Sequence, residues 1–310
     1  AQAASYFTGM IRLLTAISAV AFFSRARFFV PHQLYVSAYA CITIAALLTF
    51  IVYGLYMYAG TLRPHPFTGN DGVHSSAYAV AISFLGVVTL KRLNKIGWRT
   101  ALFLGIPLLA LVIAYQVRTA WVLVILFLGA ICIMDAGRRI GRVTQGIIAG
   151  FALAAIMFII LLLIIFPISG FDLATFSSGR SAVYAERFDI ISQRTAFDLI
   201  FGTGPGSDRF FSSTWWWQEK DSHNDFLHFA IETGLAGLAG LVLILISALR
   251  RANSTQIPIL VSLIGSSMVS NALLERPMFA ILLAGIMSAD SFHGTAEHSV
   301  DGRPPLISAR

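Results

Sequence analysis

The chain reads as an all-α integral membrane protein, with about nine transmembrane helices and one long extracytoplasmic loop of short helices. Three observations predict this. The 310 residues are 57% hydrophobic and only 12% charged, half the charge of a soluble domain. Apolar runs close to the length of a hydrocarbon core recur along most of the chain. Basic residues gather in short segments between those runs, which is the pattern that orients membrane helices. A β-barrel would need short segments of alternating polarity, and these are absent.

The spans fall in order at about 4–24, 35–59, 75–90, 100–117, 119–134, 145–166, 226–248, 256–273 and 277–290. Arg25 and Arg27 follow the first, and Lys91, Arg92, Lys95 and Arg99 the third. Arg138, Arg139 and Arg142 follow the fifth, and Arg250 and Arg251 the seventh. Each cluster follows an odd-numbered span, so all four share one side, read as the cytoplasm. The domain division is therefore helices one to six over 1–166, an extracytoplasmic, periplasmic loop over 167–222, helices seven to nine over 223–290, and a cytoplasmic, disordered tail over 291–310.

The net charge of +7 is accounted for by these clusters, which hold eleven of the 22 Lys and Arg residues, so no nucleic-acid partner is read. Cys41 and Cys132 sit inside apolar runs, which indicates neither a disulfide framework nor a zinc site. No signal peptide is read. The opening "AQAASYFTGMIRLL" reads as the start of a fragment, with further helices upstream.

The outer face collects the remaining polar residues. Arg118 sits in "YQVRTAW" with almost no loop around it. It reads either as a snorkelling anchor or as an anion clamp, because its planar fork suits phosphate oxygens. Arg63, Arg180 and Arg276 share its face against the positive-inside trend. A helix is predicted over about 181–199, with Tyr184, Phe188 and Ile191 on its apolar face and Arg187 and Arg194 as solvated charges. Arg180 stands apart, flanked by Ser and Gly. "GTGPGS" reads as a tight turn rather than a nucleotide loop, since no Lys-Ser/Thr follows it. Trp215, Trp216 and Trp217 read as interfacial anchors, with a platform for sugar rings or a lipid linker as the alternative. Glu275 and Arg276 in "LLERP" read as a mutual ion pair.

The densest polar cluster is "DSHNDFLHFAIETGLAG", where a polar turn enters an apolar helix. Ser222 and Asp225 resemble a capping box, which predicts a helix from about His223. Asn224, His228 and Glu232 then fall four residues apart and form one polar stripe. Glu232 reads as buried and paired, holding His228. His223 sits above the stripe, and an imidazole titrates in the range a general base needs. The spacing is poor for zinc.

"VRTAW", "SGRSAVY", "LIFGTGPGSDRF" and "SHNDFLHFAIETGLAG", in this order, resemble the O-antigen ligase and polymerase superfamily of bacterial envelope glycosyltransferases, over roughly 115–245. The loop "RPHPFTGNDGVHSSAYA" adds weaker support. The resemblance implies a multi-pass enzyme of the bacterial inner membrane with a periplasmic site. It implies a polyprenyl (undecaprenyl) diphosphate-linked glycan as donor, a saccharide such as lipid A-core as acceptor, and membrane lipid around the site. It maps the family's functional residues onto Arg118, Arg180 and His223. Arg63, Asn224, His228, Arg276 and Trp216 are then the candidate substrate contacts. No cofactor and no metal is expected. A repeat-unit polysaccharide polymerase shares this donor chemistry and differs in acceptor. A secondary transporter is the alternative from another class, disfavoured because the polar groups cluster at one face rather than at mid-membrane.

Overall fold

The computed structural model describes residues 32–58, 60–68, 72–136, 180–213 and 219–269. The spans expected at 4–24, 145–166 and 277–290, the start of the extracytoplasmic loop and the tail from 291 lie outside the described residues, as do Trp216 and Arg276.

Among the described residues, four helices are long and apolar enough to cross a membrane: α1 (His32–Tyr53), α2 (Gly72–Arg92), α3 (Trp98–Tyr115) and α4 (Arg118–Ala136). They match the second to fifth expected spans. The chain is thus a mainly helical, multi-pass membrane protein. α2 is the central element, with 78% of its span buried against 22%, 33% and 44% in α1, α3 and α4. Its neighbours turn large apolar side chains outward, among them Ile51, Phe103 and Ile125. Such exposure is costly in water and favourable in lipid.

Hydrogen bonds fix which ends meet. Arg92 at the end of α2 forms a bidentate pair with Asp135 near the end of α4, at 2.6 and 2.9 Å. Those two ends therefore lie together, on the same side. At the opposite end a short hairpin joins the helices. An antiparallel hairpin, β1 (Leu55–Tyr58) with β2 (Thr61–Pro64), occupies the end of the second expected span. Tyr115 Oη donates to His65 O at 3.2 Å and Gln116 Nε2 donates to Leu62 O at 3.1 Å, so the hairpin is tied to the α3–α4 turn.

The helix expected over 181–199 is two: α5 (Arg180–Ser192) and α6 (Ala196–Phe201). Thr195 caps α6 by accepting from the Asp198 N–H at 3.1 Å, which starts a new helix where one continuous helix was expected. The seventh expected span is also broken. α7 (Asp225–Glu232) is followed by Thr233 and by Gly234 at φ +68°, and α8 (Gly234–Arg251) resumes beyond them. A side chain at Gly234 would strike the Ile200 carbonyl, so α6 packs against the break itself. α9 (Gln256–Ser267) is buried along its length and lies against α4. α8 and α9 are apolar but fall short of the measure the four spans meet.

Candidate functional site

α5, α6, α7 and the loop residues 202–213 and 219–222 form a polar unit in which Arg187, Arg194, Asp208, His228 and Glu232 are paired rather than solvated. Arg187 is fully buried, which overturns its reading as a surface charge. Its Nε donates to Asp208 Oδ1 at 3.3 Å, and its Nη2 donates to the carbonyls of Asp208 and Lys220 at 3.0 and 2.8 Å. The guanidinium lies 3.4 Å from the ring centre of Phe210. Burial works against its charge and the Asp208 carboxylate supports it. The buried face of α5 is consequently Val183 and Arg187, while Phe188, expected on the apolar face, is exposed. Arg194 is not solvated either: it donates to Ile231 O at 2.8 Å and to Thr203 Oγ1 at 2.8 Å. A cation on the last carbonyls of α7 complements the helix dipole.

Asp208 carries the pairing onward. Its Oδ2 accepts from the Ser222 N–H at 2.8 Å and lies 3.1 Å from His228 Nδ1. His228 Nε2 lies 3.2 Å from Glu232 Oε2, and Glu232 Oε1 accepts from the Gly206 N–H at 2.6 Å. The expected turn "GTGPGS" is thus held by the expected partner of His228. Both ring nitrogens of His228 face carboxylates, a geometry that suits the doubly protonated ring. Burial opposes that cation, but the bonds to Asp208 and Glu232 prevail and hold the imidazole well above its ordinary range.

His223 lies in a different setting. The helix starts at Asp225, just past His223, and Asn224 is its cap, with Oδ1 accepting from the Leu227 N–H at 3.1 Å. Ser222, the expected cap, instead donates from Oγ to Asn224 O at 3.2 Å. The physical reason is that His223 sits at φ +51°, outside helical space, which delays the helix. Asp221 Oδ1 accepts from the His223 N–H at 3.1 Å and also contacts His223 Nδ1. Tyr184 Oη donates to the His223 carbonyl at 3.4 Å. Its phenol is pushed up by burial, which Arg180 and the Asn224 bond partly oppose.

The remaining candidates fall into two groups. Arg180, the first residue of α5, donates from Nη1 to Val269 O at 2.6 Å, just beyond the end of α9. Asn224 Nδ2 donates to the neighbouring Met268 O at 2.8 Å. Arg180 and the His223 turn are therefore docked on the same helix end. Arg118, the first residue of α4, is exposed at the hairpin end. Arg63 on β2 is held by Thr61 Oγ1 at 2.7 Å and lies over the Tyr58 ring at 5.2 Å. Burial lowers its guanidinium first, the tyrosines Tyr58 and Tyr56 raise it, and Arg118 lowers it further. The two cations are thus electrostatic neighbours. Among the described residues, no group of three or more His, Cys, Asp or Glu residues is arranged to hold a metal ion.

Residues 102–242 match the family model described as O-antigen ligase. The stretch begins in α3, ends in α8, and contains Arg118, Arg180, the Asp208 pairing and the His223 turn. Over that stretch the chain is similar to the O-antigen ligase family. No curated protein and no solved structure matches it. The polar cluster lies inside the matched stretch, whereas Arg63 lies before it.

Two acidic residues of this cluster, Asp208 and Asp221, are absent from the sequence-based candidates. Asp221 stands two residues before His223, the spacing of an Asx turn, and that signal was available. Asp208 pairs with groups 14 to 21 residues away, and such separations leave no periodic trace.

Proposed function

We propose that this protein is a periplasm-facing glycosyltransferase of the bacterial inner membrane. It moves a glycan from a polyprenyl diphosphate carrier to a saccharide acceptor such as lipid A-core, in lipopolysaccharide biosynthesis. The observation that carries this reading is the O-antigen ligase match across the residues that hold Arg118, Arg180 and His223.

In the proposed reaction, His223 removes the proton of the acceptor hydroxyl as its oxygen bonds to the anomeric carbon. The bond from that carbon to the diphosphate oxygen breaks, and its electron pair leaves with the carrier diphosphate. The sugar passes through an oxocarbenium-like state. Arg180 and Arg118 stabilise the charge growing on the diphosphate, a task for which fixed cations in a partly dry site are suited. Arg63 adds positive potential beside Arg118. Asn224 and His228 support the turn from below, since the Asn224 amide is engaged by Leu227 N and Met268 O and His228 by two carboxylates.

Deleting the gene and profiling the strain's glycans tests the reading. Long carrier-linked chains with bare core are expected; single-repeat glycans would instead make the enzyme a polymerase. An unchanged profile overturns both. Restoring the gene with His223→Ala should give correctly inserted protein with transfer lowered about 10²–10⁴-fold, the usual worth of a general base. Transfer near the wild-type level removes His223 from the role.

A further inference from the structure

We propose that Asp221 is the positioning carboxylate of His223, fixing the ring so that Nδ1 carries the proton and Nε2 presents the lone pair to the acceptor hydroxyl. The inference rests on the reading of His223 as base.

The geometry comes from one oxygen with two tasks. Asp221 Oδ1 accepts from the His223 backbone N–H at 3.1 Å, closing an Asx turn, and the same atom contacts His223 Nδ1. An ionised carboxylate only accepts, so Nδ1 must be the donor. In a neutral imidazole the other nitrogen is then the acceptor, which fixes Nε2 as the basic atom. Asp221 is well placed to stay rigid, with 8% of its side chain exposed, while His223 keeps 30% exposed. The turn itself is held from three sides. Asp208 Oδ2 accepts from the Ser222 N–H at 2.8 Å, Tyr184 Oη reaches the His223 carbonyl at 3.4 Å, and Asn224 bonds Met268 O at 2.8 Å. His223 accepts φ +51° in this setting. A non-glycine residue is held in that region only where its surroundings over-determine it, and such positions gather at functional sites.

The arrangement also accounts for charge during the reaction. When Nε2 takes the hydroxyl proton, the ring becomes a cation whose Nδ1–H already faces an anion. Asp221 stabilises that cation without taking the proton, and the proton later leaves from Nε2. An Asn at this position can keep both bonds through its own Oδ1 but carries no charge, so the imidazolium formed in the reaction would lose its counter-anion.

The test uses the full chain in two settings. In the deletion strain, Asp221→Asn should insert normally and lower transfer about 10²–10⁴-fold, with the donor concentration for half-maximal rate unchanged. Asp221→Glu should recover part of that loss. In vesicles of phosphatidylethanolamine and phosphatidylglycerol, protein carrying ¹⁵N-histidine should show a protonated Nδ1 and a bare Nε2 for His223, identified by subtracting the spectrum of His223→Gln. Asp221→Ala, which removes the acceptor at Nδ1, should shift the proton towards Nε2. If Asp221→Asn fails to insert, the wild-type spectrum decides: Nδ1–H supports the proposal and Nε2–H overturns it. Near-wild-type transfer by Asp221→Asn, with His223→Ala inactive, overturns the positioning role and leaves the proposed function standing. Activity in His223→Ala overturns the base and the positioning role together.

Discussion

Two histidines five positions apart in one motif sit in opposed environments, and the contrast separates support from chemistry. His228, on α7, has a carboxylate at each ring nitrogen, Asp208 at 3.1 Å and Glu232 at 3.2 Å. Both carboxylates favour its doubly protonated form, and that form has no lone pair to offer. His223, on the turn before α7, has Asp221 at Nδ1 and a partly exposed ring. An imidazole oriented by a carboxylate at Nδ1 on a partly exposed turn can be reached by a substrate; one with a carboxylate at each nitrogen is locked.

The largest expected disturbance is to the support. Asp208→Ala leaves the buried Arg187 without its carboxylate, removes one of the two anions from His228 and frees the Ser222 N–H. Removing one partner from a fully buried pair costs about 3–5 kcal/mol. The thermal midpoint of the detergent-purified protein should fall accordingly, and transfer should fall with it because the turn above loses its anchor. A variant as stable as wild type would show that the pairing does not hold the unit together.

His228→Gln cuts the comparison more finely. Loss of the cation should cost about 1–3 kcal/mol, because two carboxylates lose a hydrogen-bonded partner. Transfer by the protein that remains folded should stay within about tenfold of wild type, against the loss of about 10²–10⁴-fold expected for His223→Ala. The pH dependence has a definite sign. The folded-state pKa of His228 is raised, so its contribution is complete below the ordinary histidine value of about 6.5 and is lost as pH rises through the folded value. Wild type should therefore lose stability from near-neutral pH upward, and His228→Gln should lack that component. A parallel pH profile in the two proteins would show that His228 is not the titrating group.

The same contrast explains what was legible in the amino-acid sequence. The spans α1 to α4 were, because about 20 consecutive apolar residues leave few other solutions. The stripe of His228 and Glu232 was, because four-residue spacing puts them on one face. The break at Gly234 was not, since apolar character continues across it and only the close approach of α6 demands the glycine. The hairpin over 55–64 was hidden for a similar reason, its Leu55, Tyr56 and Met57 being as apolar as the helix before it. Arg187 looked solvated because acids stand beside it in sequence, whereas its burial is matched by Asp208 and two carbonyls brought in by the loop. His223 and Arg180 were singled out as residues. That both turn and helix dock on the end of α9 depends on contacts between segments 44 and 89 residues apart.

The smallest expected effect falls on the turn. Tyr184→Phe removes only the hydroxyl that reaches the His223 carbonyl at 3.4 Å, a long and therefore weak bond. The ring keeps its place on α5, so the cost should be about 0.5–1.5 kcal/mol. His223 should remain where it is, because Asp221, Asp208 and Asn224 still fix the turn through three other hydrogen bonds. Transfer should change by less than about fivefold, and the donor concentration for half-maximal rate should not move. A loss as deep as that of His223→Ala, in a protein whose melting is unchanged, would place Tyr184 among the groups that act on the substrate. The turn would then owe its chemistry to α5 as much as to its own acidic residue.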